Sequence, residues 1–379
     1  MNHEVIEGRD PATNQCMRLH IEDGIIATVT FTGDDSDLWL APGLVDLQVN
    51  GYAGLDFNGP ACTVESVLGI VDALLATGVT CLAPTVITAS EAMMIRSLQI
   101  IAEARRLSPR ASAAIPFAHV EGPHISPFDG YRGAHPQEHV RPPSIDEFDR
   151  WQHASQGLVG MVTLSPHFDG SAAYIAALTA RGVHVSLGHT HATHDQIQRA
   201  VDAGARLSTH LGNGIAALLP RHPNPIWSQL ADDRLTASFI ADGHHLPAEA
   251  LSAMTQAKGL SRSFLVSDTV ALAGMPPGLY TAPVGGSVEL HPDGRLSLQG
   301  SSALAGATVP LAQCIGRATR MTGLPLADVL RMATETPGSF AFGRGTLQPG
   351  SRADIIRFRF TGELLVEDVW LAGTRIKTN

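Results

Sequence analysis

Two histidines, each near the end of an apolar run, are the residues of this sequence that most directly suggest chemistry. One run, VHVSLGH, ends at His189, and the other, RLSTHL, contains His210. Between them, Thr193 and Gln196 have the spacing of a helix capping box, and Gly204 marks the expected end of that helix. The pattern predicts strand, helix, strand, with both imidazoles at the same edge of a parallel sheet. Imidazoles paired at such an edge favour a transition-metal site.

Two further histidines lie close to this pair in the sequence. His194 falls at the predicted helix start, where we expect it to be exposed, and His191 lies in the loop, where contact with a ligand or metal is the less favoured interpretation. The alternative for the whole stretch is that its histidines are hydrogen-bonded within loops and bind nothing.

The middle of the chain alternates short apolar runs with segments of helical spacing. The apolar runs are residues 44–50, 79–86, 115–121, 159–164, 183–189, 206–211, 235–241 and 263–268. Eight such units predict an α/β fold, a (β/α)8 TIM-type barrel, whose active site lies at the carboxyl ends of its strands. A doubly wound open sheet is the alternative, but no glycine-rich phosphate turn follows the first run.

Both ends of the chain show short strand patterns broken by turns. We expect residues 1–41 and 346–379 to pair into one small β-sandwich domain, with the metal-dependent barrel, residues 42–345, inserted between them. Within the barrel region, segment 274–298 carries Pro-Pro-Gly, Gly-Gly and Asp-Gly turn signals and predicts a β-hairpin excursion near the mouth. Helical patterns after it are expected to close the barrel.

Polar side chains collect at the predicted carboxyl ends of the strands. The first strand ends with Gln48 and Asn50 on one face, the third carries His119 and Glu121, and the eighth ends at Asp268. With the two histidines above, one barrel mouth would hold two carboxylates and two imidazoles. Each residue alone has a structural explanation, since Asp268 could simply cap a turn, but shared placement at one rim indicates a functional site.

Composition excludes several classes of protein. With 379 residues, 44% of them hydrophobic, the chain can bury a large core, and its net charge of −10 argues against nonspecific nucleic-acid binding while permitting an anionic small substrate. The cysteines have no paired spacing and predict buried thiols in a reducing compartment: Cys16, Cys62, Cys81 and Cys314. The polar start MNHEVIEGRD is not typical of a signal peptide, and no run approaches a membrane span, so we expect a cytoplasmic enzyme without membrane contact.

Eight motifs then occur in a familiar order: APGLVDLQVNGYAGLDFN, HVEGPHISPFDGYRGAH, LGHTHAT, THLGNG, FIADGHH, LVSDTVALAG, LAGATV and GTLQPGSRADII. On these motifs the chain resembles the N-acetylglucosamine-6-phosphate deacetylase family of the amidohydrolase superfamily over nearly its whole length. The resemblance implies metal-dependent hydrolysis of the acetamide of N-acetylglucosamine-6-phosphate, giving glucosamine-6-phosphate and acetate.

The resemblance also implies a metal site. Glu121, His189 and His210 match the residues that hold one divalent metal, expected to be zinc. Many superfamily members carry His-x-His on the first strand and hold two metals, whereas this chain has Gln48 and Asn50 at those positions. Because neutral amides are poor zinc ligands, we expect one metal per chain and assign Gln48 and Asn50 to substrate binding.

Two residues match the family's catalytic positions. Asp268 matches the general base, which takes a proton from the attacking water and delivers it to the leaving amine. His135, in the sequence RGAH, matches a histidine that polarises the substrate carbonyl and stabilises the oxyanion. Without the family, His135 is equally well interpreted as a surface loop residue.

The expected substrate-binding residues include two departures from the family. Asn213, Arg221 and His245 match positions that contact the sugar and its phosphate, and Gly214 is assigned to substrate binding although Asn213-Gly214-Ile215 replaces the family's Asn-Ala-Met. The arginine tends to come from the partner subunit, which implies a homodimer. The family's Arg-Glu-Pro-Gly, however, is replaced by Arg-His-Pro-Asn starting at Arg221. The change leaves open another N-acyl amino sugar, of the other epimer or without phosphate.

Two further functions stay open at this stage. A hydrolase of cyclic amides or N-acyl amino acids would use the same scaffold, but the strand-end lysine of its binuclear relatives has no counterpart, and His167 follows the fourth strand instead. A catalytically inactive homologue that only binds would have lost a ligand or the base. Glu121, His189, His210 and Asp268 are all present.

Overall fold

The computed structural model describes residues 3–282, 286–300 and 304–376. The strands are β1 (His3–Arg9), β2 (Cys16–Glu22), β3 (Ile25–Thr32), β4 (Trp39–Pro42), β5 (Leu44–Val49), β6 (Gly51–Tyr52), β7 (Leu55–Asp56), β8 (Val79–Ile87), β9 (Ala118–Glu121), β10 (Val159–Leu164), β11 (His184–Leu187), β12 (Leu207–Ser208), β13 (Thr236–Ile240), β14 (Ser263–Val266), β15 (Gly278–Ala282), β16 (Gly286–Leu290), β17 (Leu296–Leu298), β18 (Ile355–Phe360), β19 (Leu364–Leu371) and β20 (Thr374–Ile376).

The α-helices lie between these strands and after the last barrel strand. They are α1 (Val64–Ala76), α2 (Glu91–Leu107), α3 (Pro109–Ala114), α4 (Ile145–Ala154), α5 (Ser171–Thr179), α6 (His194–Asp202), α7 (Pro225–Leu230), α8 (Ala248–Lys258), α9 (Leu311–Thr322), α10 (Leu326–Met332) and α11 (Glu335–Gly338). The capping box expected at Thr193 and Gln196 is present at the start of α6, which ends just before Gly204. Within the described residues, every helix is too short or too polar to cross a bilayer.

Eight parallel strands form the barrel, in the order β5, β8, β9, β10, β11, β12, β13 and β14. The first and last of these strands meet where the Asp268 amide donates to the Gln48 carbonyl at 3.0 Å, and Val49 forms a parallel bridge with Thr269. The predicted (β/α)8 barrel is therefore confirmed. Several strands are shorter than the apolar runs, and β12 keeps only two residues because the backbone turns before His210.

The barrel interior changes character along its axis. Large apolar side chains such as Leu47, Phe117 and Phe264 fill the part nearer the amino ends of the strands. Nearer the mouth, buried polar side chains such as Thr163 and Thr209 replace them. The apolar layer supplies a rigid floor for the polar one.

Both ends of the described chain contribute to one seven-stranded sheet, in the order β20, β19, β18, β4, β1, β2, β3. Strand β4 pairs antiparallel with β18, with Pro42 opposite Ile355. The sheet curls back on itself, since the Ile26 amide donates to the Ser351 carbonyl at 2.9 Å, and the strands share one apolar core. A small β domain built from both termini is thus confirmed, as one continuous curled sheet.

The excursion predicted after the eighth barrel strand is also present. Strands β15, β16 and β17 form a three-stranded antiparallel sheet, and residue 285 of its Gly-Gly turn lies outside the described residues. Helices α9 to α11 follow it, as expected. The four cysteines are free and buried, which agrees with their scattered spacing.

Candidate metal and catalytic site

Three of the expected site residues share an unusual backbone position. His189, His210 and Asp268 each lie two residues beyond the last residue of a barrel strand. Their φ angles are 48°, 28° and 51°, in the left-handed region that side chains with a Cβ rarely adopt. Strain of this kind persists only where the surroundings impose it, and it is concentrated at functional sites. The turn carries each side chain over the open end of the barrel.

Glu121 lies at the centre of the cluster that these turns create. Its Oε1 atom is 3.0 Å from Nε2 of His210 and 3.4 Å from Nε2 of His189. One ligand atom from each of the three residues lies within 4.8 Å of the others, and all three residues are buried. The two histidines, 21 positions apart in sequence, meet with ring centroids separated by 4.9 Å.

The hydrogen bonds of the cluster fit a divalent metal. Nδ1 of His189 lies 2.9 Å from the Tyr131 carbonyl, which can only accept, so that nitrogen carries a proton, and Nε2, which faces Glu121, is the nitrogen left for a metal. Nδ1 of His210 is buried without a hydrogen-bond partner among the described residues. Two imidazoles and one carboxylate form a donor set that suits a divalent first-row metal and leaves a coordination position open.

The charges of the cluster are strongly coupled. Burial alone would raise the pKa of Glu121, but hydrogen bonds from His189 and His210 hold it well below its ordinary value. Burial would lower the pKa of His210, and the Glu121 carboxylate raises it instead. Positive charge is therefore favoured beside Glu121, and a bound divalent cation would satisfy the same preference.

Glycines shape the space around His189. A Cβ atom added to Gly214 would lie 2.7 Å from Nδ1 of His189, and one added to Gly133 would lie 3.2 Å from Cε1 of the same ring. Both glycines have positive φ angles. Gly214 is expected to bind substrate, and its contact with a candidate metal ligand is an additional reason for glycine there.

The two amides of the first barrel strand contact carboxylates. Nε2 of Gln48 donates to Oε1 of Glu121 at 2.9 Å, and Nδ2 of Asn50 donates to Oδ1 of Asp268 at 2.8 Å. Each amide orients a carboxylate of the site, and Oδ1 of Asn50 remains buried without a partner in the described structure.

Asp268 is a buried carboxylate beside the cluster. Burial, followed by repulsion from Glu121, raises the pKa of Asp268 to about 6. Nearby His210 and His245 act in the opposite direction. A carboxylate with this environment can exchange protons near neutral pH, as a general base must.

His135 is buried against the cluster and does not lie at the surface. Its ring centroid is 4.5 Å from that of His189, and its Nδ1 is 2.8 Å from Oγ1 of Thr88. Burial lowers the pKa of His135 to about 3, so the imidazole is neutral and carries one N–H. Nδ1 faces Thr88, so Nε2 is the ring nitrogen left for a bound molecule.

His245 is held by a second buried carboxylate. Nδ1 of His245 lies 2.6 Å from Oδ2 of Asp242, and the His245 amide donates to Oδ1 of the same residue at 2.9 Å. Burial alone would raise the pKa of Asp242, but its bonds to His245 leave it below the ordinary value. The pair fixes one edge of the His245 ring and leaves the other nitrogen free.

The loop after β12 carries Asn213 and Arg221. Asn213 is half-buried, and its side-chain amide donates to the His210 carbonyl at 3.3 Å. Arg221 is exposed, and none of the described residues forms a hydrogen bond or ion pair with its guanidinium. The structure thus places Asn213 in contact with the candidate metal ligand His210. Arg221 forms no hydrogen bond or ion pair with the described residues of the site.

Three histidines near this stretch, His167, His191 and His194, are not among the candidate metal ligands. His191 bonds Ser126 at 2.7 Å and contacts the His167 ring, with centroids 4.2 Å apart. His194 is exposed at the start of α6, as predicted. None of these side chains contacts Glu121.

Sequence reasoning missed three groups that support the site. Thr88 contacts His135, Asp242 contacts His245, and the Tyr131 carbonyl contacts His189. Thr88 and Asp242 each follow a barrel strand within two residues, so a search of every strand end would have found both. The Tyr131 carbonyl belongs to the backbone and leaves no signal in residue types.

Comparison with known proteins identifies close counterparts over most of the chain. Residues 39–376 match the model of the amidohydrolase family. The chain is 33% identical over 365 residues to an N-acetylgalactosamine-6-phosphate deacetylase of Escherichia coli O157:H7, covering 94% of this chain and 93% of that protein. It is also 33% identical over 332 residues to an N-acetylglucosamine-6-phosphate deacetylase of Homo sapiens, covering 84% and 78% of the two chains.

A solved structure gives the same result. An aspartate-to-alanine variant of N-acetyl-D-glucosamine-6-phosphate deacetylase from Mycobacterium smegmatis, in complex with N-acetyl-D-glucosamine-6-phosphate, superposes with a TM-score of 0.88. The two proteins are 29% identical, and the match covers 99% of each chain. The likeness therefore includes the small sheet as well as the barrel.

Proposed function

The chain belongs to the amidohydrolase family, and we propose that it is a metal-dependent deacetylase that hydrolyses the acetamide of N-acetylglucosamine-6-phosphate. The products are glucosamine-6-phosphate and acetate. The observation that carries this proposal is the convergence of Glu121, His189 and His210 beside Asp268 at one barrel mouth. Relatives named as deacetylases of 6-phosphorylated N-acetyl amino sugars support the substrate class.

The residues of this chain divide the work of hydrolysis. Glu121, His189 and His210 would hold a divalent metal, which when bound would supply Lewis acidity and lower the pKa of water at the site. Asp268 accepts the proton of the attacking water and returns it to the leaving amine. His135 donates its N–H to the acetamide carbonyl, whose oxygen gains negative charge as water adds. Gln48 and Asn50 keep the two carboxylates oriented.

We propose one zinc ion per chain. The nitrogen and carboxylate donors suit zinc, and the amides of Gln48 and Asn50, which are poor ligands, are already hydrogen-bonded to Glu121 and Asp268. Elemental analysis of purified protein tests the proposal, with an expected content near one zinc per chain. Two metals per chain, with Gln48 or Asn50 as a ligand, would contradict it.

A second substrate has support of its own. The E. coli relative, which matches nearly the whole chain, is named for the galactosamine epimer, as is a relative of 32% identity from Shewanella. The loop after Arg221, His222-Pro223-Asn224, differs from the family's Glu-Pro-Gly, and this difference allows another pattern of sugar hydroxyl groups to be recognised. Acetate release from the two 6-phosphorylated N-acetylhexosamines and from both unphosphorylated sugars decides among them by kcat/KM. No acetate from any of the four would contradict the deacetylase proposal itself.

We further propose that the enzyme is a homodimer in which Arg221 binds the phosphate of a substrate in the partner subunit. Arg221 is exposed and its guanidinium has no partner among the described residues, while Leu218 and Trp227 on either side are 91% and 54% exposed. Exposed apolar side chains beside an unpaired arginine suit a surface that a second copy covers. A phosphorylated substrate and free thiols also agree with a cytoplasmic location.

Subunit mixing tests the shared site. Arg221→Ala and Asp268→Asn chains, each impaired alone, are combined under conditions that exchange subunits, and light scattering confirms the dimer. If Arg221 acts across the interface, each mixed dimer holds one intact site, and activity rises well above that of either parent. No rise in activity would place Arg221 in its own subunit's site, or outside the site.

A further inference from the structure

Thr88 follows directly after strand β8 and lies under the candidate site. Its side chain is buried, with 2% of the residue exposed, and its Oγ1 atom is 2.8 Å from Nδ1 of His135. A Cβ atom added to Gly122, which has a φ of 79°, would lie 2.1 Å from the same oxygen. The Thr88 hydroxyl therefore sits in a space that only glycine leaves open, and its place is closely fixed.

A neutral imidazole carries its single proton on one of two nitrogens, and the partner of each nitrogen decides which. In the proposed reaction His135 must donate to a carbonyl oxygen, and a carbonyl oxygen can only accept. Nδ1 is occupied by Thr88, so Nε2 is the nitrogen that remains for the substrate. Donation from Nε2 requires that Nδ1 accept a hydrogen bond, and the Thr88 hydroxyl is the group placed to give it.

The opposite tautomer, with the His135 proton on Nδ1, is less favourable in this structure. If Nδ1 carried the proton and donated to Thr88, the hydroxyl proton would have to go elsewhere. The other acceptor within its reach is the Glu121 carbonyl at 3.5 Å, which is at the outer limit for a hydrogen bond. A buried hydroxyl would then be nearly unsatisfied, which is unfavourable.

We propose that Thr88 is a positioning residue that donates its hydroxyl hydrogen bond to Nδ1 of His135, keeping the imidazole proton on Nε2 for the substrate carbonyl. The proposal rests on the proposed function for the identity of that carbonyl. The hydrogen bond itself does not depend on any substrate, so it can be measured separately from catalysis.

Nitrogen NMR of the zinc-loaded wild-type protein, labelled with ¹⁵N-histidine, tests the tautomer directly. Comparison with a His135→Gln variant identifies the His135 signals. We expect a protonated Nε2 and an unprotonated Nδ1. A protonated Nδ1 would overturn the proposal, whatever the enzyme hydrolyses and whether or not any Thr88 variant folds.

Kinetics then test the consequence. Thr88→Val should lower kcat about tenfold or more while leaving KM within about threefold, because orientation of a transition-state donor is lost and binding is not. Thr88→Ser keeps the hydroxyl and should restore kcat to within about threefold of wild type. Thr88→Val with wild-type kcat, or Thr88→Ser as impaired as Thr88→Val, would overturn the proposal.

Thr80→Val is the matched control. Thr80 lies on β8 itself, is 1% exposed, and its hydroxyl has no hydrogen-bond partner in the described structure. The same isosteric change there should leave kcat and the His135 signals unchanged. If wild type releases no acetate from any of the four sugars, the proposed function fails, and the NMR result still decides the role of Thr88.

Discussion

The polar part of the barrel interior has a lower and an upper layer, and the buried histidines of the two layers have different hydrogen bonds. In the lower layer, Nδ1 of His119 lies 3.1 Å from the Leu47 carbonyl and Nε2 lies 2.8 Å from Oγ1 of Thr163. Thr163 bonds Thr209 at 2.7 Å, and Thr209 bonds Ser186 at 2.6 Å. Because the Leu47 carbonyl can only accept, Nδ1 of His119 carries the proton and Nε2 accepts a hydrogen bond from Thr163. Thr163 then accepts from Thr209, and Thr209 accepts from Ser186, so the side-chain polar atoms of these four residues all have partners.

In the upper layer, at the mouth, the hydrogen bonding of the described residues is incomplete. Among the described residues, Nδ1 of His210 and Oδ1 of Asn50 have no hydrogen-bond partner, and Nε2 of His189 and of His210 lie 3.0–3.4 Å from the Glu121 carboxylate. Burial lowers the pKa of His119 to about 4 and makes it a neutral structural group. His119 is therefore structural because its hydrogen bonds are complete, whereas the open nitrogen of His210, in a cluster with Glu121 and His189, suits a ligand.

Removal of the metal should lower turnover more than any other change described below. It tests whether the upper layer binds a metal that catalysis requires. Metal catalysis contributes several kcal/mol to the transition state, so chelated protein should lose roughly a thousandfold or more of its turnover. Glu121→Gln should bind far less zinc and behave similarly. Full activity after chelation, checked by elemental analysis, would contradict a metal role for this layer.

Asp268→Asn should have the next largest effect. We expect turnover to fall at least about a hundredfold, the usual range for a general acid–base, while zinc content and substrate binding persist. Calorimetry with N-acetylglucosamine-6-phosphate measures binding separately. Turnover within a few-fold of wild type would remove Asp268 from the mechanism.

The pH profile should report the same carboxylate. Burial and the Glu121 charge raise the pKa of Asp268 to about 6, and a bound cation acts in the opposite direction. The base must be ionised, so activity is present above this pKa and falls about tenfold per unit below it. We expect the acidic limb of kcat/KM at or below about pH 6. A limb clearly above pH 7 would assign the base to another group.

Arg221→Ala tests whether function extends beyond the buried mouth to the exposed loop. A guanidinium that grips phosphate in both ground and transition states should raise KM about tenfold or more and lower kcat only a few-fold. The ratio of kcat/KM for the phosphorylated sugar to kcat/KM for the unphosphorylated sugar should fall. If both sugars are affected equally, Arg221 only holds its loop.

Thr163→Val should give the smallest effect on activity. The change removes the hydroxyl that bonds Nε2 of His119 and leaves that nitrogen unsatisfied, which should cost about 1–3 kcal/mol of stability. Zinc content and kcat should stay within about threefold of wild type. A collapse of activity without loss of stability would show that the two layers are functionally one.

The barrel and the candidate metal cluster were predictable because they leave periodic or positional signals. Eight apolar runs at strand spacing specify the barrel, and polar residues at their carboxyl ends locate the mouth. His189 and His210 could be paired from the capping box and glycine between them. Parallel strands then required their imidazoles to meet.

Other features had no such signal. The left-handed turns at His189, His210 and Asp268 occur at residue types that do not predict them, and tertiary packing imposes them. The contacts of Gln48 with Glu121 and of Asn50 with Asp268 depend on side-chain directions across the barrel. The zinc expectation and the role of His135 came from resemblance to a family, since residue types alone left His135 ambiguous.

The curled sheet built from both ends of the chain has a consequence for synthesis. Strand β4 pairs with β18, and roughly 300 residues separate Pro42 from Ile355. At a translation rate of about 5–20 residues per second, the ribosome takes roughly 15 to 60 s to deliver the partner strand. During that interval the nascent β4 presents an open edge, the kind of surface on which aggregation begins and which holdase chaperones protect. The open edge of β4 is therefore covered only when β18, near the end of the chain, has been synthesised.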